Sequence, residues 1–450
     1  MNRKILNWLE SVLMNHYGER FLLNYVNGFI YLTIPKCEKK SIVFSNTENN
    51  FYKLGKSELN CNYWSPESEG LQSVLGHPLP ILSNLPIPNN LIEYNIHSLK
   101  VKYDLLGMIY WILSRSEEVN RDNELDIYGR FPAIASHAYN NGYLNRPIVD
   151  EWLYILRQLI YKLWPKLPLR EHKFEIKATH DVDRPFRFKF SDNKTFFKKI
   201  AGDIIKHKRA SSLIYAPLIK LASSDFFLKR DPYNSFDWIM DISEKENIKS
   251  EFYFICDITD QEKDADYNIE SPLIKELIKK IHKRGHIIGL HPSFNSYLSE
   301  SQIKSEFNKL LKLLSNEKIK QKKYGGRMHY LRWSHPKTLM SWEEAGLNYD
   351  STLGYADLPG FRCGTCFEYP AINPITHESL KLRIRPLIVM ECSILSSKYM
   401  GVNLEKAEEI FNYYKKTCQK VNGIFTLLWH NSELFNKNLR ILYKKVINTR

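Results

Sequence analysis

Two carboxylates two positions apart, Asp181 and Asp183, sit beside a histidine in the run Thr179-His180-Asp181-Val182-Asp183. Residues 173–178 before them (KFEIKA) alternate apolar and polar, with Phe174, Ile176 and Ala178 on one side. That period of two predicts a strand. Side chains repeat every second residue along an extended segment, so both acids face the same way at its end. Close acids are costly unless a metal, a proton or an arginine compensates them. One acid can ligate a divalent ion while the other stays free as a base. The structural alternative is a turn capped by Asp side chains.

Four further segments carry groups suited to the same chemistry. His286 and His291 bracket a short apolar run. Five residues apart, they point to opposite faces of a regular strand and do not share an ion, and His286 reads as structural. If residues 291–295 turn helically, His291 and Asn295 share a face. Histidine, aspartate and an amide oxygen make a somewhat hard divalent site. Arg332, in Leu331-Arg332-Trp333, either keeps a nearby carboxylate ionised or forms a surface ion pair. His430 closes the apolar run Leu427-Leu428-Trp429-His430 and can donate a proton near neutral pH. Cys363-Gly364-Thr365-Cys366 is a C-x-x-C with neither a second cysteine pair nor a thioredoxin-like setting, which argues against zinc or redox roles.

Regular elements must position these groups. Apolar runs at 250–256, 286–291, 330–333, 385–392 and 423–430 predict strands. Helical patterns lie between them at about 235–247, from Ser271-Pro272 to Gly285, and at 300–318, 337–347 and 403–421. Such alternation predicts a parallel sheet covered by helices, open or closed into a barrel. In barrels the chemistry sits at the C-terminal strand ends. Asp181, Asp183, His291, Arg332 and His430 all fall at predicted strand ends.

At 450 residues the chain is long for one core, and two domains are the natural expectation. A first block contains the apolar helix Leu105 to Ser114 and a helix over 148–164, stopped by Trp164-Pro165-Lys166-Leu167-Pro168. The boundary falls near 165–172, giving units 1–168 and 169–450. Hydrophobic content of 43% with 25% charged residues is that of a soluble globular protein. Glu10, Asn15 and His16 interrupt the N-terminal segment, so it reads as neither signal peptide nor membrane span. Seven scattered cysteines without an export signal suit reduced thiols and a cytoplasmic location.

The net charge of +14 favours polyanions, but acids interleave most of the lysines. RNA-binding and zinc-finger signatures are missing, so no nucleic-acid partner is expected. In an insertion over 190–232, Phe196, Phe197, Ile200, Ile204 and Ile205 are expected on one helical face, with Lys198, Lys199, Lys206 and Lys208 among them. This is either a helical cover on the barrel or a peripheral contact with an anionic membrane.

In order and spacing, residues 173–435 resemble the polysaccharide deacetylase superfamily (the NodB homology domain, carbohydrate esterase family four). THDVD resembles that family's T-F-D-D-G motif, which implies Asp181 as base and Asp183 as metal ligand. The segment from Gly285 to Asn295 resembles G-H-E-x-G-x-H-[ST]-x-x-H, with His291 as first ligand histidine and Asn295 in the place of the second. Arg332 resembles the arginine that holds the base, and His430 the catalytic acid. The stretches SRSEEV, GRFPAIAS, Tyr349 to Leu353 and Gly360 to Thr365 are similar to uncharacterised deacetylase-like proteins of bacterial surface-polysaccharide gene clusters. Arg362 and Trp429 are the expected substrate contacts.

The resemblance implies a distorted (β/α) barrel of the glycoside hydrolase/deacetylase type, preceded by a smaller α+β N-terminal domain of unknown role. It implies Zn²⁺ or a similar divalent ion, and hydrolysis of an N-acetyl group on a sugar or glycan. The competing reading is a catalytically degenerate relative that binds a glycan or a biosynthetic partner, to which Asn295 points.

Overall fold

The computed structural model of the chain describes residues 2–35, 37–46, 48–205, 210–222 and 225–449. Helix Arg3–Tyr17 opens the fold, capped by the Asn2 side chain on Lys4 N–H and closed by Gly18 at φ 76°. Its buried stripe runs Ile5, Leu6, Trp8, Leu9, Val12, Leu13 and Tyr17, the spacing of one helical face. Seven strands follow: β1 (Leu22–Val26), β2 (Phe29–Ile34), β3 (Cys37–Ser45), β4 (Cys61–Trp64), β5 (Leu79–Leu82), β6 (Ile92–Tyr94) and β7 (Ser98–Val101). Five form a sheet in the order β1-β2-β3-β7-β6, while β4 and β5 pair separately. Helix Leu105–Leu113 is buried along its whole length, as its unbroken apolar sequence requires, and helix Ile148–Leu163 packs beside it.

The second half is a mixed α/β unit built on a curled, half-barrel sheet. Its strands are β8 (Glu175–Val182), β9 (Glu251–Phe254), β10 (Ile287–Leu290), β11 (Gly325–Gly326), β12 (Tyr349–Asp350), β13 (Tyr369–Ile372), β14 (Ser379–Ile384), β15 (Val389–Met390) and β16 (Ile424–Leu428). Their order is β13-β14-β12-β11-β10-β9-β8-β16-β15. Only the β13–β14 pair is antiparallel, so the other strands deliver their C-terminal ends to one rim. Helices Phe236–Lys245, Pro272–Lys283, Glu300–Asn316, Lys337–Ala345 and Leu404–Lys420 fill the connections.

One expected strand is displaced. Residues 329–331 form a single 3₁₀ turn, and the strand is the pair Gly325–Gly326. A side chain is impossible there, because a Cβ on Gly326 would lie 1.7 Å from the Leu290 carbonyl oxygen. This moves the strand end from Arg332 back to Arg327.

The two halves share one continuous core. Trp8, Ile42, Trp111 and Trp152 belong to the same buried cluster as Phe252, Ile288, Trp342 and Trp429. Polar ties cross the same seam. Trp8 Nε1 donates to Pro370 O (2.9 Å), and Thr365 Oγ1 donates to Asp150 (2.5 Å). Arg362 donates through Nε and Nη2 to the two Glu118 oxygens, at 2.9 and 2.6 Å. Burial opposes the Glu118 carboxylate, yet Arg362 and Arg115 hold its pKa down to about 2. Arg362, expected at the substrate, is therefore spent inside this buried network. Cys363 and Cys366 are also buried, free thiols, with burial pushing Cys363 up to about 11.

The insertion consists of helices Asn193–Ile205, Ser212–Leu221 and Asp225–Leu228. The apolar side chains expected on one face divide between two. Phe196 and Ile200 are buried, whereas Phe197, Ile204 and Ile205 are exposed. Lys206 and Lys208 lie outside the described residues. Among the described residues no helix is long and apolar enough to cross a membrane.

Removing one partner of a buried ion pair strands the other charge, at a cost of about 3–5 kcal/mol. Arg362→Ala should therefore lower unfolding stability by that amount in denaturant titrations. Both halves should melt in a single transition in the wild type, because they share a core.

Candidate active site

The strand β8 ends at Val182, next to its expected end, and carries Thr179 and Asp181 on one face, with Asp183 just beyond. The alternate face holds His180, which is stacked on Phe252 and donates through Nδ1 to Trp429 O. Arg327, fully buried, follows β11 directly. Its guanidinium donates to Asp181 Oδ1 (2.9 Å), Thr179 Oγ1 (2.9 Å), Ser351 O (2.9 Å) and Ser351 Oγ (3.0 Å). A buried guanidinium is tolerated when an opposite charge and further acceptors meet it in this way. The arginine that holds Asp181 is thus Arg327, not Arg332.

His291 follows β10. Its Nδ1 lies 2.6 Å from Arg327 O, and a carbonyl only accepts, so Nδ1 carries a proton and Nε2 is turned into the pocket. His329 is oriented in the same way, with Nδ1 2.9 Å from Asp264 Oδ1. Both Nε2 atoms face Asp183 Oδ1, at 3.2 Å from His291 and 3.7 Å from His329. That oxygen is buried and has no hydrogen-bond partner among the described residues. The three atoms lie within 4.8 Å of one another. Two imidazoles with their second nitrogens fixed, plus an orphaned carboxylate oxygen, fit a divalent ion.

The third imidazole belongs to His430, beyond β16. Glu391 Oε1 accepts from its backbone N–H (2.9 Å) and its Nδ1 (2.5 Å), leaving Nε2 3.6 Å from Asp183 Oδ2. Burial opposes the imidazolium, yet Glu391 and Cys392 hold the His430 pKa well above the usual histidine range. Burial likewise opposes charge on His329, but Asp183 and Asp264 raise it to about 9. Asp183 is disfavoured by burial and held well below the usual carboxylate range by His329, His291 and His430.

These groups line a pocket of about 350 Å³. Met390, Leu428 and Leu331 supply apolar wall, and Arg130, Arg184, Lys398 and Tyr399 supply polar wall. Arg130 comes from the first half of the chain. It pairs with Asp126 (2.7 Å) and donates to Tyr330 O (3.2 Å) and Tyr399 OH (3.0 Å). Tyr330 and Leu331, which follow His329, are left-handed at φ 61° and 57°. Such backbone costs free energy, and Arg130 helps to hold it. A groove of about 600 Å³ between Leu144 and Tyr413 shares none of these residues.

Asp181, Asp183, His291 and His430 are brought together; the other expected residues are not. The Asn295 N–H is taken by Thr259 Oγ1 (2.9 Å), so the helical turn that would aim Asn295 beside His291 does not form. Its side chain instead donates to Thr259 O and accepts from Arg332 Nη1 (3.1 Å). Arg332 lies between the rings of Phe294 and Tyr297, 4.0 and 3.8 Å from their centroids, and donates to Tyr128 O. Trp429 alternates with His430, points to the covering helices and stacks on Phe411. His286 sits at the opposite end of β10, accepting from Ser250 N–H.

Arg327, His329, Glu391 and Asp264 were not singled out in the sequence. The signal for the first two was Gly325-Gly326, a side-chain-free pair lying between predicted strands. Glu391 was visible as an acid closing a predicted strand. Asp264 lies in a loop and had no local signal.

Residues 17–165 match a family described as a family of unknown function, DUF7033. No curated protein matches the chain. Among solved structures, a protein of Mycobacterium smegmatis put forward as a polysaccharide deacetylase aligns at 15% identity over 62% of this chain and 84% of that one, with a TM-score of 0.39. The Puue allantoinase aligns at 11% identity over 61% and 83%, with a TM-score of 0.37. The chitin deacetylase of the fungal pathogen Colletotrichum lindemuthianum aligns at 11% identity over 62% and 85%, with a TM-score of 0.32.

The donor set makes a discriminating expectation. In metal titrations followed by calorimetry, His329→Ala should abolish tight binding of Zn²⁺, Co²⁺ or Ni²⁺, whereas Asn295→Ala should leave it intact. Asp264→Asn, which replaces the carboxylate at His329 Nδ1 with a neutral amide, should weaken binding by about 10–100-fold.

Proposed function

We propose that this protein is a metal-dependent hydrolase that removes an N-acetyl group from a sugar or glycan. One observation carries the reading: three imidazoles, each tied at Nδ1, present Nε2 to the single carboxylate of Asp183, beside an Asp181 clamped by Arg327. Packing alone does not call for three fixed imidazoles around one buried carboxylate. Asp183, His291 and His329 would hold the ion, and two histidines with a carboxylate suit Zn²⁺. When bound, such an ion supplies Lewis-acid polarisation of the amide carbonyl.

The remaining steps belong to side chains of this chain. Arg327 occupies Asp181 Oδ1, so Oδ2, 3.7 Å from His291 Nε2, is the oxygen left to take a proton from the attacking water. His430 stands at the other carboxylate oxygen of Asp183 and carries a proton. It delivers that proton to the nitrogen as the C–N bond breaks, releasing acetate and an amine. Apolar Met390, Leu331 and Leu428 fit an acetyl methyl, and the polar wall suits hydroxyls of a sugar.

A place in surface-polysaccharide precursor synthesis in the cytoplasm is part of this proposal and rests on the sequence resemblance. The binding-only alternative drew its support from Asn295. With His329 supplying the third ligand atom, that residue no longer favours it.

Acetate release from a panel of N-acetylated nucleotide sugars and oligosaccharides, with and without chelator, tests the reading directly. Chelation should abolish turnover, and added Zn²⁺ should restore it. Asp181→Asn should lower kcat by about 10²–10⁴-fold with metal content unchanged. Full activity in that variant would overturn the assignment of the base.

A further inference from the structure

Helix Ser212–Leu221 is built inside out. Its buried residues are Ser212, Ala216 and Ile219. Its exposed face is Leu213, Ile214, Pro217, Leu218 and Leu221, with Leu221 82% exposed, and it bears no charged residue. The neighbouring helix Asn193–Ile205 contributes Phe197 (67% exposed), Ile204 and Ile205 (77% exposed) to the same segment, and Phe226 extends it. Nine of the 26 large apolar side chains exposed among the described residues lie between 197 and 226. A concentration of that kind marks a contact surface, whereas scattered exposed apolar residues do not.

Charge identifies the occupant. Residues 193–230 hold nine Lys and Arg against two Asp, half of the chain's net charge of +14. Of those acids, Asp203 is buried, paired with Arg187 and Ser212. Lys194, Lys198, Lys229 and Arg230 are exposed, and Arg230 flanks the patch over the rings of Tyr215 and Phe226. Exposed aliphatic side chains ringed by cations match an interfacial helix on anionic lipid. They do not suit nucleic acid, which would be met by stacking groups rather than leucine and isoleucine. No described helix could span a bilayer, so any contact is peripheral.

The surface also adjoins the pocket. Lys199, on the first of these helices, lies 3.7 Å from Asp266, and Asp266 lies 3.1 Å from the pocket residue Arg184.

We propose that helices Asn193–Ile205 and Ser212–Leu221 dock the protein on the surface of an anionic phospholipid bilayer, with their exposed Leu, Ile and Phe side chains inserted and the flanking Lys and Arg on the headgroups. This goes beyond the hydrolytic reading and does not depend on it.

The test is flotation of the full chain with vesicles of phosphatidylcholine alone or of equal parts phosphatidylcholine and phosphatidylglycerol, at low and high salt. Binding to the anionic vesicles should exceed binding to the neutral ones by at least ~10-fold and weaken with salt. The double variant Ile214→Asp/Leu221→Asp should lose at least ~10-fold of it while keeping the wild-type thermal transition, both residues being exposed. Absence of wild-type flotation at low salt, equal binding by the double variant, or equal binding to neutral vesicles would overturn the proposal. So would concentration-dependent self-association that the double variant abolishes, which would assign the patch to a second copy of the chain.

Discussion

The site depends on one buried arginine. Arg327 has no access to solvent, and its charge is tolerated because each nitrogen of its fork meets an acceptor, one of them a carboxylate. Those acceptors come from β8 and from the loop after β12, so the guanidinium ties together strand ends from both sides of the curled sheet. Its backbone acts as well, because Arg327 O receives His291 Nδ1–H. A single residue therefore sets the orientation of Asp181 and the free face of His291. That bridge exists because β11 is glycine on both positions and lets its neighbours close to backbone distance.

Around this anchor the same arrangement recurs three times. His291 gives Nδ1–H to a carbonyl, His329 to Asp264 and His430 to Glu391. In each case the outer partner fixes the orientation of the ring and leaves Nε2 facing Asp183. The outer partners differ in charge, and that separates the rings chemically. A neutral carbonyl suits a ligand, and the carboxylate of Glu391 suits an imidazole that keeps and delivers a proton. His329 is the mixed case, since Asp183 and then Asp264 raise its pKa to about 9 against burial.

The first half of the chain is part of the same body. It shares a core with the second half, locks it through Arg362 and Glu118, and places Arg130 against the loop that follows His329. The region that matches a family of unknown function thus contributes Arg130 to the pocket lining.

Local pattern in the chain was enough for the alternation of strands and helices, the acids at the end of β8, His291 and His430, because period and polarity are properties of neighbouring residues. The glycine pair of β11 defeated that reading. A two-residue strand without side chains has no period, so the strand was placed on YLRW and the arginine five residues late. Asn295 failed for a related reason: its position depended on a turn that a distant Thr259 prevents. Arg362 and Trp429 carry polar or aromatic groups that suit a sugar, yet only packing shows that one is consumed by Glu118 and the other by Phe411. Residue types and strand ends are written locally. Which imidazoles converge on Asp183, and which carboxylates stand behind them, is decided by the order of strands in the sheet, since His329 and His430 are far from Asp183 in sequence and reach it, backed by Asp264 and Glu391, only when the rim curls.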